Sequence, residues 1–236
     1  MDNDIINRVR RDLAAGADEQ TRTAFHRYFK ESVTAYGVKT ALVSRIGRKY
    51  FQEIRQCTKN EIFFLCEELF SSGFSEEAFI ASEWSYAVHS QYQLGDFTTF
   101  DRWVALYIDN WAKCDTFCNH AVGTLVEMYP VLSGKLVIWA RSPNRWLRRA
   151  AAVTLILPAR KGMFLQEIFE IAGILLLDDD DLVQKGYGWM LKEASKTHQT
   201  EVFNYILKNK RVMPRTALRY AIEKMPVGMK AQAMAK

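Results

Sequence analysis

The sequence contains little of what marks a secreted or membrane protein. Four cysteines in 236 residues are too few for a dense disulfide framework, and we expect them to be buried free thiols. The longest uninterrupted aliphatic stretch, residues 171–177, is far shorter than the roughly 20 apolar residues that cross a bilayer. The acidic residues 1–4 do not have the basic and apolar regions of an export signal. We therefore expect a cytoplasmic protein with no membrane contact.

Several catalytic and nucleotide-binding motifs are also missing. The chain has no Gly-x-Gly-x-x-Gly, no Gly-Lys-Thr/Ser loop, no His-Glu-x-x-His and no Gly-x-Ser-x-Gly. These absences disfavour nucleotide-dependent and zincin-type enzymes. Cys114 and Cys118 lie one helical turn apart with His120 nearby, but zinc sites prefer paired Cys-x-x-Cys ligands and no second pair follows. We expect no metal site.

The composition is that of a soluble globular chain, with 49% hydrophobic and 25% charged residues. The length suits one sizeable domain or two small ones. Thirty-two Lys and Arg against 27 Asp and Glu give a net charge of +5. This excess permits a polyanionic partner, but by itself it identifies none.

Apolar residues recur at helical spacing along almost the whole chain, and no segment has a persuasive strand pattern. Single glycines and polar pairs separate periodic blocks of about 10 to 18 residues, which predicts roughly a dozen helices. Ser142 and Pro143 predict an N-cap and first helical position, and Pro214 predicts another helix start.

Short helix pairs without a long linker are typical of an α-solenoid of the HEAT or armadillo kind. We therefore predict an all-α fold, a solenoid of antiparallel helix pairs, in a single domain over residues 1–236 with a concave face for a partner. An irregular helical bundle is the alternative, because no consensus recurs at a fixed period.

Two features of the segment around residues 178–194 bear on function. Four consecutive aspartates, residues 178–181, suggest either a cation site or a helix N-terminus whose dipole they complement, and the helix N-terminus is favoured. Gly186 and Gly188 follow inside the same helix, where each costs about 1 kcal/mol. They therefore require a packing reason or the close approach of a partner.

Three clusters combine charge with aromatic side chains. Trp111 and Asp115 lie at i and i+4, which places a carboxylate beside an indole. Lys185 and Trp189 repeat this spacing with a cation. Taken singly, each pair is also compatible with a core aromatic residue beside a solvated charge.

The remaining cluster consists of Arg145, Arg148 and Arg149 around Trp146, just inside a predicted helix start. Three cations there oppose the positive end of the helix dipole and repel one another, so they require an anion, for which phosphate is the obvious candidate. Basic residues interleaved with aromatics are typical of nucleic-acid binding. The residues alone therefore indicate a helical protein that binds DNA or RNA.

At these clusters the sequence closely resembles the DNA alkylation repair family, the AlkD-like DNA glycosylases built from HEAT-like repeats. The family's Trp-Asp-x-x-Asp element corresponds to residues 111–115, its Trp-x-x-Arg-Ala-Ala element to residues 146–151, and its Lys-x-x-Gly-Trp-x-Leu-x-Glu element to residues 185–193. Segments 28–40 and 214–222 resemble the family's ends. The order and spacing match over nearly the whole chain.

The resemblance implies a monofunctional glycosylase that excises cationic purines such as 3-methyladenine and 7-methylguanine from duplex DNA. It implies that Asp115 is the catalytic carboxylate, and that Trp111 and Trp189 are aromatic walls against the deoxyribose of the lesion. Arg149 would contact a phosphate. We place the DNA contacts at the residues Arg145, Arg148, Arg149, Lys185 and Tyr28. The family is understood to act through the sugar and backbone, which leaves the lesion base largely unread.

Two residues depart from the family pattern. Ala112 stands where the first aspartate is usual, and Asn110 where a second tryptophan is common. The chemistry implied needs no cofactor, because an alkylated purine is already a good leaving group and a carboxylate stabilises the cationic sugar. We expect a monomer. The alternative is a non-catalytic helical-repeat DNA-binding or scaffold protein. The joint retention of Trp111, Asp115, Arg149 and Trp189 argues against it.

Overall fold

The structure, a computed structural model, describes residues 4–235, and α-helices make up most of this part of the chain. In the first half they are α1 (Asp4–Ala15), α2 (Glu19–His26), α3 (Thr40–Ile54), α4 (Lys59–Ser71), α5 (Ser75–Ala87), α6 (Asp96–Tyr107) and α7 (Trp111–Phe117). They continue as α8 (Gly123–Met128), α9 (Ser133–Ala140), α10 (Arg145–Thr154), α11 (Ile156–Arg160), α12 (Leu165–Ile174), α13 (Asp181–Ala194), α14 (Gln199–Asn209), α15 (Arg215–Ala221) and α16 (Val227–Met234).

Three short helical elements complete the secondary structure of residues 4–235, which contains no strand. Two are 3-10 turns at His89–Gln91 and Pro130–Leu132, and one is a π-helical turn at Cys118–Val122. The β-structure within residues 4–235 is an isolated bridge between Thr34 and Phe74. The predicted all-α class is confirmed.

Backbone packing divides the chain into two compact units, unit 1 (Met1–Phe117) and unit 2 (Cys118–Lys236). The single domain expected over residues 1–236 stays a prediction. Residues 1–4, in which no export signal was found, lie outside the described residues except for Asp4.

Unit 1 contains two rows of packed helices. In one row α1 and α6 both contact α4, and in the other α3, α5 and α7 pack on one another in that order. The rows are joined where α1 packs on α3 and α4 on α5. Aromatic side chains fill part of the interior, with ring centroids 5.1 to 5.8 Å apart among Phe63, Phe70, Phe100, Trp103 and Phe117.

Unit 2 repeats this plan. Helices α10, α13 and α15 form one row, while α9 packs on α12, and α12 contacts α14 through stacked rings of Phe169 and Tyr205, 4.8 Å apart. The pairs α9 with α10 and α12 with α13 pack against each other between the rows. Within each unit the helices are therefore paired as a HEAT-like repeat requires.

Two of the three helix starts predicted from the sequence are confirmed. Asp180 caps α13, and its carboxylate accepts from the amides of Leu182 at 2.8 Å and Val183 at 3.3 Å, so the acidic run is a helix N-terminus as predicted. Pro214 directly precedes α15. The predicted cap at Ser142 is wrong, because Asn144 caps α10 by accepting from the Trp146 amide at 2.9 Å.

The two glycines of α13 have a packing explanation within unit 2. A Cβ atom on Gly188 would lie 2.7 Å from both the carbonyl oxygen of Ala217 and Cβ of Tyr220. On Gly186 it would lie 3.5 Å from Cγ of Arg149, an ordinary contact. Gly188 thus permits the close approach of α15, a neighbour in the same chain.

Within the part of the chain that the structure describes, none of the helices has the length and apolarity that a membrane span needs.

Candidate functional site

In each unit, the helices that carry the predicted motif residues belong to one row of packed helices. Trp111 and Asp115 lie on α7, the last helix of the α3–α5–α7 row of unit 1. The basic and aromatic residues of unit 2 lie on α10 and α13 of the α10–α13–α15 row, and they are Arg145, Arg148, Arg149, Lys185 and Trp189. Tyr28 follows α2 in unit 1.

Trp111 and Asp115 share one face of α7. They are one helical turn apart, so their side chains project from the same side of the helix. Both residues are half-buried. The structure therefore places the two residues on one helical face, and their joint role stays a prediction.

The start of α7 is fixed by buried polar side chains. Oδ1 of Asn110 accepts from the backbone amide of Lys113 at 3.0 Å, which is the bond of an N-cap, and Asn110 is fully buried. The buried ammonium of Lys113 donates to the carbonyl of Gly73 at 2.8 Å and to Asp109 at 2.9 Å. Asn110, where the family commonly has tryptophan, here positions the helix that carries Asp115.

Trp111 also lies against an aromatic cluster that the sequence analysis did not identify. Its indole stacks on Phe29 with ring centroids 5.4 Å apart, and Phe25 lies 4.8 Å from Phe29. These rings border a cleft of about 390 Å³ in unit 1. The cleft is lined by Phe25, Tyr28, Phe29, Thr40, Val43, Ser44, Phe79, Glu83, Trp111, Ala112 and Thr116.

The cleft contains a single ionisable carboxylate among its lining residues. Glu83 lies one turn from Phe79 on α5, and its Oε1 accepts from the hydroxyl of Ser44 at 2.6 Å. One signal in the sequence pointed this way. Three aromatic residues, Phe25, Tyr28 and Phe29, lie close together in the chain. In the structure helix α2 has no buried residue, and Tyr28 is 75% exposed.

A buried carboxylate holds the segment that leads from this cluster into α3. Glu76, on α5, accepts from the amides of Tyr36 at 3.1 Å, Gly37 at 2.8 Å and Val38 at 3.1 Å. Gly37 has a φ of 87°, in the left-handed region where glycine carries no steric cost. The neighbouring Glu77 accepts from the Tyr36 hydroxyl at 2.7 Å, and burial together with this bond raises the pKa of Tyr36.

Two arginines of α10 form ion pairs with aspartates of the same unit. Arg148 Nε lies 2.6 Å from Asp178 Oδ2, and its NH1 donates to the carbonyls of Ser142 and Pro143 at 3.1 and 3.0 Å. Arg145 Nε lies 2.6 Å from Asp180 Oδ2. The aspartates before α13 thus supply the negative charge that the sequence analysis expected from phosphate.

The other two predicted DNA contacts of unit 2 differ in exposure. Arg149 is 5% exposed, and its guanidinium donates to the carbonyl of Leu182. Lys185 is about one-third exposed and pairs with Asp181 at 3.1 Å, one turn earlier on α13. Lys185 can therefore turn toward a ligand with less rearrangement than Arg149.

Trp189 and Glu193, in the third motif, occupy different environments on α13. Trp189 is half-buried, with the ammonium of Lys192 6.0 Å from its ring centroid. Glu193 is buried and accepts from Arg160 Nε at 2.8 Å and Lys196 Nζ at 2.5 Å. Burial alone would raise the pKa of Glu193, but these two cations lower it below its ordinary value.

The cysteines are free thiols. Cys66, Cys114 and Cys118 are buried as expected, and Cys57 is half-exposed, contrary to the expectation. Within residues 4–235, no three His, Cys, Asp or Glu side chains are grouped as a metal ion would require. Burial raises the pKa of the Cys66 thiol, which keeps it protonated and unreactive.

Comparisons with known proteins agree with the resemblance seen in the motifs. Residues 9–225 match the family described as "DNA alkylation repair enzyme". A solved structure described as a predicted DNA alkylation repair enzyme from Enterococcus faecalis is similar in fold, with a TM-score of 0.80 and 16% sequence identity over 89% of this chain and 97% of that one. None of the curated proteins matches the chain.

Proposed function

The chain belongs to the family of DNA alkylation repair enzymes, and on that premise we propose that it is a monofunctional DNA glycosylase. Its proposed substrates are duplex DNA lesions in which a purine carries an alkyl group on N3 or N7 and is therefore cationic. The reaction is hydrolysis of the N-glycosyl bond, which releases the alkylpurine and leaves an abasic site.

The observation that carries the proposal is the half-buried position of Asp115, one turn from Trp111 on a helix whose start is fixed by buried groups. A carboxylate on a rigid helix can be held against a reacting centre without reorganisation. Asn110 and Lys113 supply this rigidity from the interior of unit 1. The same carboxylate in a mere scaffold would repel the phosphates of DNA.

The proposed chemistry uses these side chains alone. As the bond between C1′ and the purine nitrogen breaks, its electron pair neutralises the base, and positive charge develops on the deoxyribose. The Asp115 carboxylate stabilises that charge more than it stabilises the ground state. It also orients the attacking water and accepts its proton. The indole face of Trp111 attracts the same cation by roughly 0.5 to 2 kcal/mol. The role of Trp189 as a second aromatic wall stays a prediction.

Contacts with the DNA backbone are proposed for Lys185 and Tyr28, whose side chains are the more accessible, and for Arg149. At Arg145 and Arg148, contact with DNA would require each side chain to exchange an aspartate partner for a phosphate. The sequence-derived expectations of a monomer and of a cytoplasmic location stay predictions.

The test is incubation of the purified protein with randomly methylated duplex DNA, followed by identification of the released bases. We expect release of 7-methylguanine and 3-methyladenine by the wild type. Asp115→Asn should reduce release at least about 100-fold, as loss of a charge-stabilising group does, while DNA binding is nearly unchanged. Full activity in Asp115→Asn would contradict the catalytic assignment. DNA binding without base release by the wild type would instead favour the scaffold alternative.

A further inference from the structure

The exposed side of α3 carries a row of cations in unit 1. Arg45, Arg48 and Arg55 follow one another at spacings of three and seven residues, and Gln52 lies between the last two. Such spacings bring side chains to one side of an α-helix. All four residues are exposed to solvent. We call Arg45, Arg48, Gln52 and Arg55 the α3 stripe.

The arginines of the α3 stripe have no acidic partner. Within residues 4–235, none of Arg45, Arg48 and Arg55 forms an ion pair with an aspartate or a glutamate. The neighbouring Lys49 does, because its ammonium lies 2.8 Å from a carboxylate oxygen of Asp12. The stripe also differs from α10, where two arginines are paired with aspartates. Its positive charge is therefore not neutralised inside the protein.

The helix dipole explains only one of these cations. Arg55 directly follows Ile54, the last residue of α3, and a cation is favourable at a helix C-terminus. Arg45 and Arg48 lie before the last turn, where the dipole has little effect. Like charges so close on one helix repel each other. An anion from outside the chain would remove this repulsion.

The α3 stripe lies beside the surface that carries the proposed catalytic residues. Ser44, one turn before Arg48 on α3, lines the same cleft of unit 1 as Trp111 of α7. Helix α5 packs between α3 and α7. Packed helices are about 8 to 10 Å apart, so the axis of α3 is about 16 to 20 Å from that of α7. The stripe is therefore on the same row as Asp115 but well away from it.

From this arrangement we propose that the α3 stripe binds phosphates of duplex DNA at a distance from the lesion. This inference rests on the proposed function, and it adds a contact region remote from the reacting sugar. A duplex that lies along the α3–α5–α7 row meets the stripe about five or six base pairs from the lesion, at 3.4 Å per base pair. The planar guanidinium groups suit phosphate oxygens, and such contacts position the duplex without reading its sequence.

The first experiment measures binding of the full chain to a long undamaged duplex by fluorescence anisotropy at several salt concentrations. Arg45→Gln and Arg48→Gln should each reduce the slope of log K against log salt by about 1, and the double variant by about 2. The matched control is Arg11→Gln, which removes an exposed cation from α1 in the other row of unit 1. The control should keep the wild-type slope.

Either of two results would overturn the proposal at this stage. One is a wild-type slope in the Arg45→Gln/Arg48→Gln double variant. The other is an equal fall in slope in Arg11→Gln, because the effect would then reflect net charge alone. Thermal unfolding of each variant checks its fold, and these exposed substitutions should leave the midpoint unchanged.

The second experiment locates the stripe relative to the lesion. Two duplexes each carry one uncleavable abasic-site analogue and extend either about three or about ten base pairs beyond it on both sides, so only the longer one reaches the stripe. The Arg45→Gln/Arg48→Gln variant should bind the longer duplex more weakly than the wild type does, and the shorter one equally well. Equal weakening with both duplexes would place these arginines next to the lesion and contradict a remote contact.

The outcome can be separated from that of the proposed function, because the first experiment uses undamaged DNA. A protein that releases bases from methylated DNA, with salt slopes unchanged in the variants, retains the glycosylase assignment and loses the α3 stripe. A protein that releases no base, with slopes that fall as expected, retains the α3 stripe and loses the glycosylase assignment.

Discussion

The indole of Trp111 stacks on Phe29 with ring centroids 5.4 Å apart and ring planes inclined by 24°. Phe29 belongs to a segment after α2, while Trp111 begins α7, so the contact joins parts of unit 1 that are far apart in sequence. The position of a proposed catalytic wall therefore depends on a residue outside all three motifs. This relationship leads to the first prediction.

Replacing Phe29 with alanine should reduce base release more than it reduces DNA affinity. An aromatic pair contributes about 0.5 to 1.5 kcal/mol beyond its buried area, so we expect a loss of roughly two- to ten-fold in single-turnover rate. The control is Tyr86→Ala, which removes a stacked pair with His89 at 4.9 Å in the same unit. Equal rates for Phe29→Ala and Tyr86→Ala would show that the stack does not position Trp111.

The cap of α7 gives a second prediction. Asn110→Ala removes the acceptor for the Lys113 amide and should cost about 1 kcal/mol of stability, within the usual range for N-caps. Asn110→Ser keeps an acceptor and should lose less. The measurement is the thermal unfolding midpoint, which should fall by about 2 to 4 °C per kcal/mol in a protein of this size. A midpoint equal to that of the wild type would contradict the proposed role of Asn110 as the N-cap of α7.

The sequence predicted those structural features that depend on residues close together along the chain. Helical periodicity predicted the all-α class, the acidic run predicted the start of α13, and the i and i+4 spacing placed Asp115 beside Trp111. These properties follow from backbone geometry and dipoles within one helix.

Features that depend on tertiary packing were not predicted. The pairing of Arg148 with Asp178 joins α10 to the loop before α13, and neither segment alone shows which anion the arginine meets. The aromatic cleft likewise assembles Phe29, Phe79 and Glu83 from separate segments. Single-sequence periodicity carries no information about such distant contacts.

The arginine cluster gives a third prediction, in which salt dependence separates structural from DNA-binding cations. Arg148→Ala leaves Asp178 without its charged partner and should cost about 2 kcal/mol in urea unfolding. Its effect on the salt dependence of DNA binding should be small. Lys185→Ala and Arg149→Ala should each reduce the slope of log K against log salt by about 1, the loss of one phosphate contact.

The two glycines of α13 form a matched pair for the fourth prediction. Gly188→Ala places a Cβ 2.7 Å from the Ala217 carbonyl and from Tyr220, so α15 must shift, at a cost of about 1 to 3 kcal/mol. Gly186→Ala meets its nearest atom at 3.5 Å and should be neutral or stabilise the helix by up to about 1 kcal/mol. Thermal unfolding of both variants provides the comparison, and equal midpoints would contradict the packing explanation.

The final prediction concerns pH and Glu193. Arg160 and Lys196 lower the pKa of this buried carboxyl below its ordinary value of 4.5, despite the opposing effect of burial. The folded protein therefore binds a proton at Glu193 less readily than the unfolded chain does. The resulting stabilisation is complete above about pH 4.5 and is lost as pH falls from there through the lower folded-state pKa.

Glu193→Gln removes this titration while keeping the shape of the side chain. In urea unfolding from neutral pH to about pH 3, the stability difference between wild type and variant should be constant above about pH 5 and shrink below it. Glu201→Gln, at an exposed position, should follow the wild type throughout. A stability difference between wild type and Glu193→Gln that is undiminished in acid would contradict this prediction. It would mean that the protonated Glu193 stabilises the fold as much as the ionised form, so the ion pairs with Arg160 and Lys196 would not be the cause.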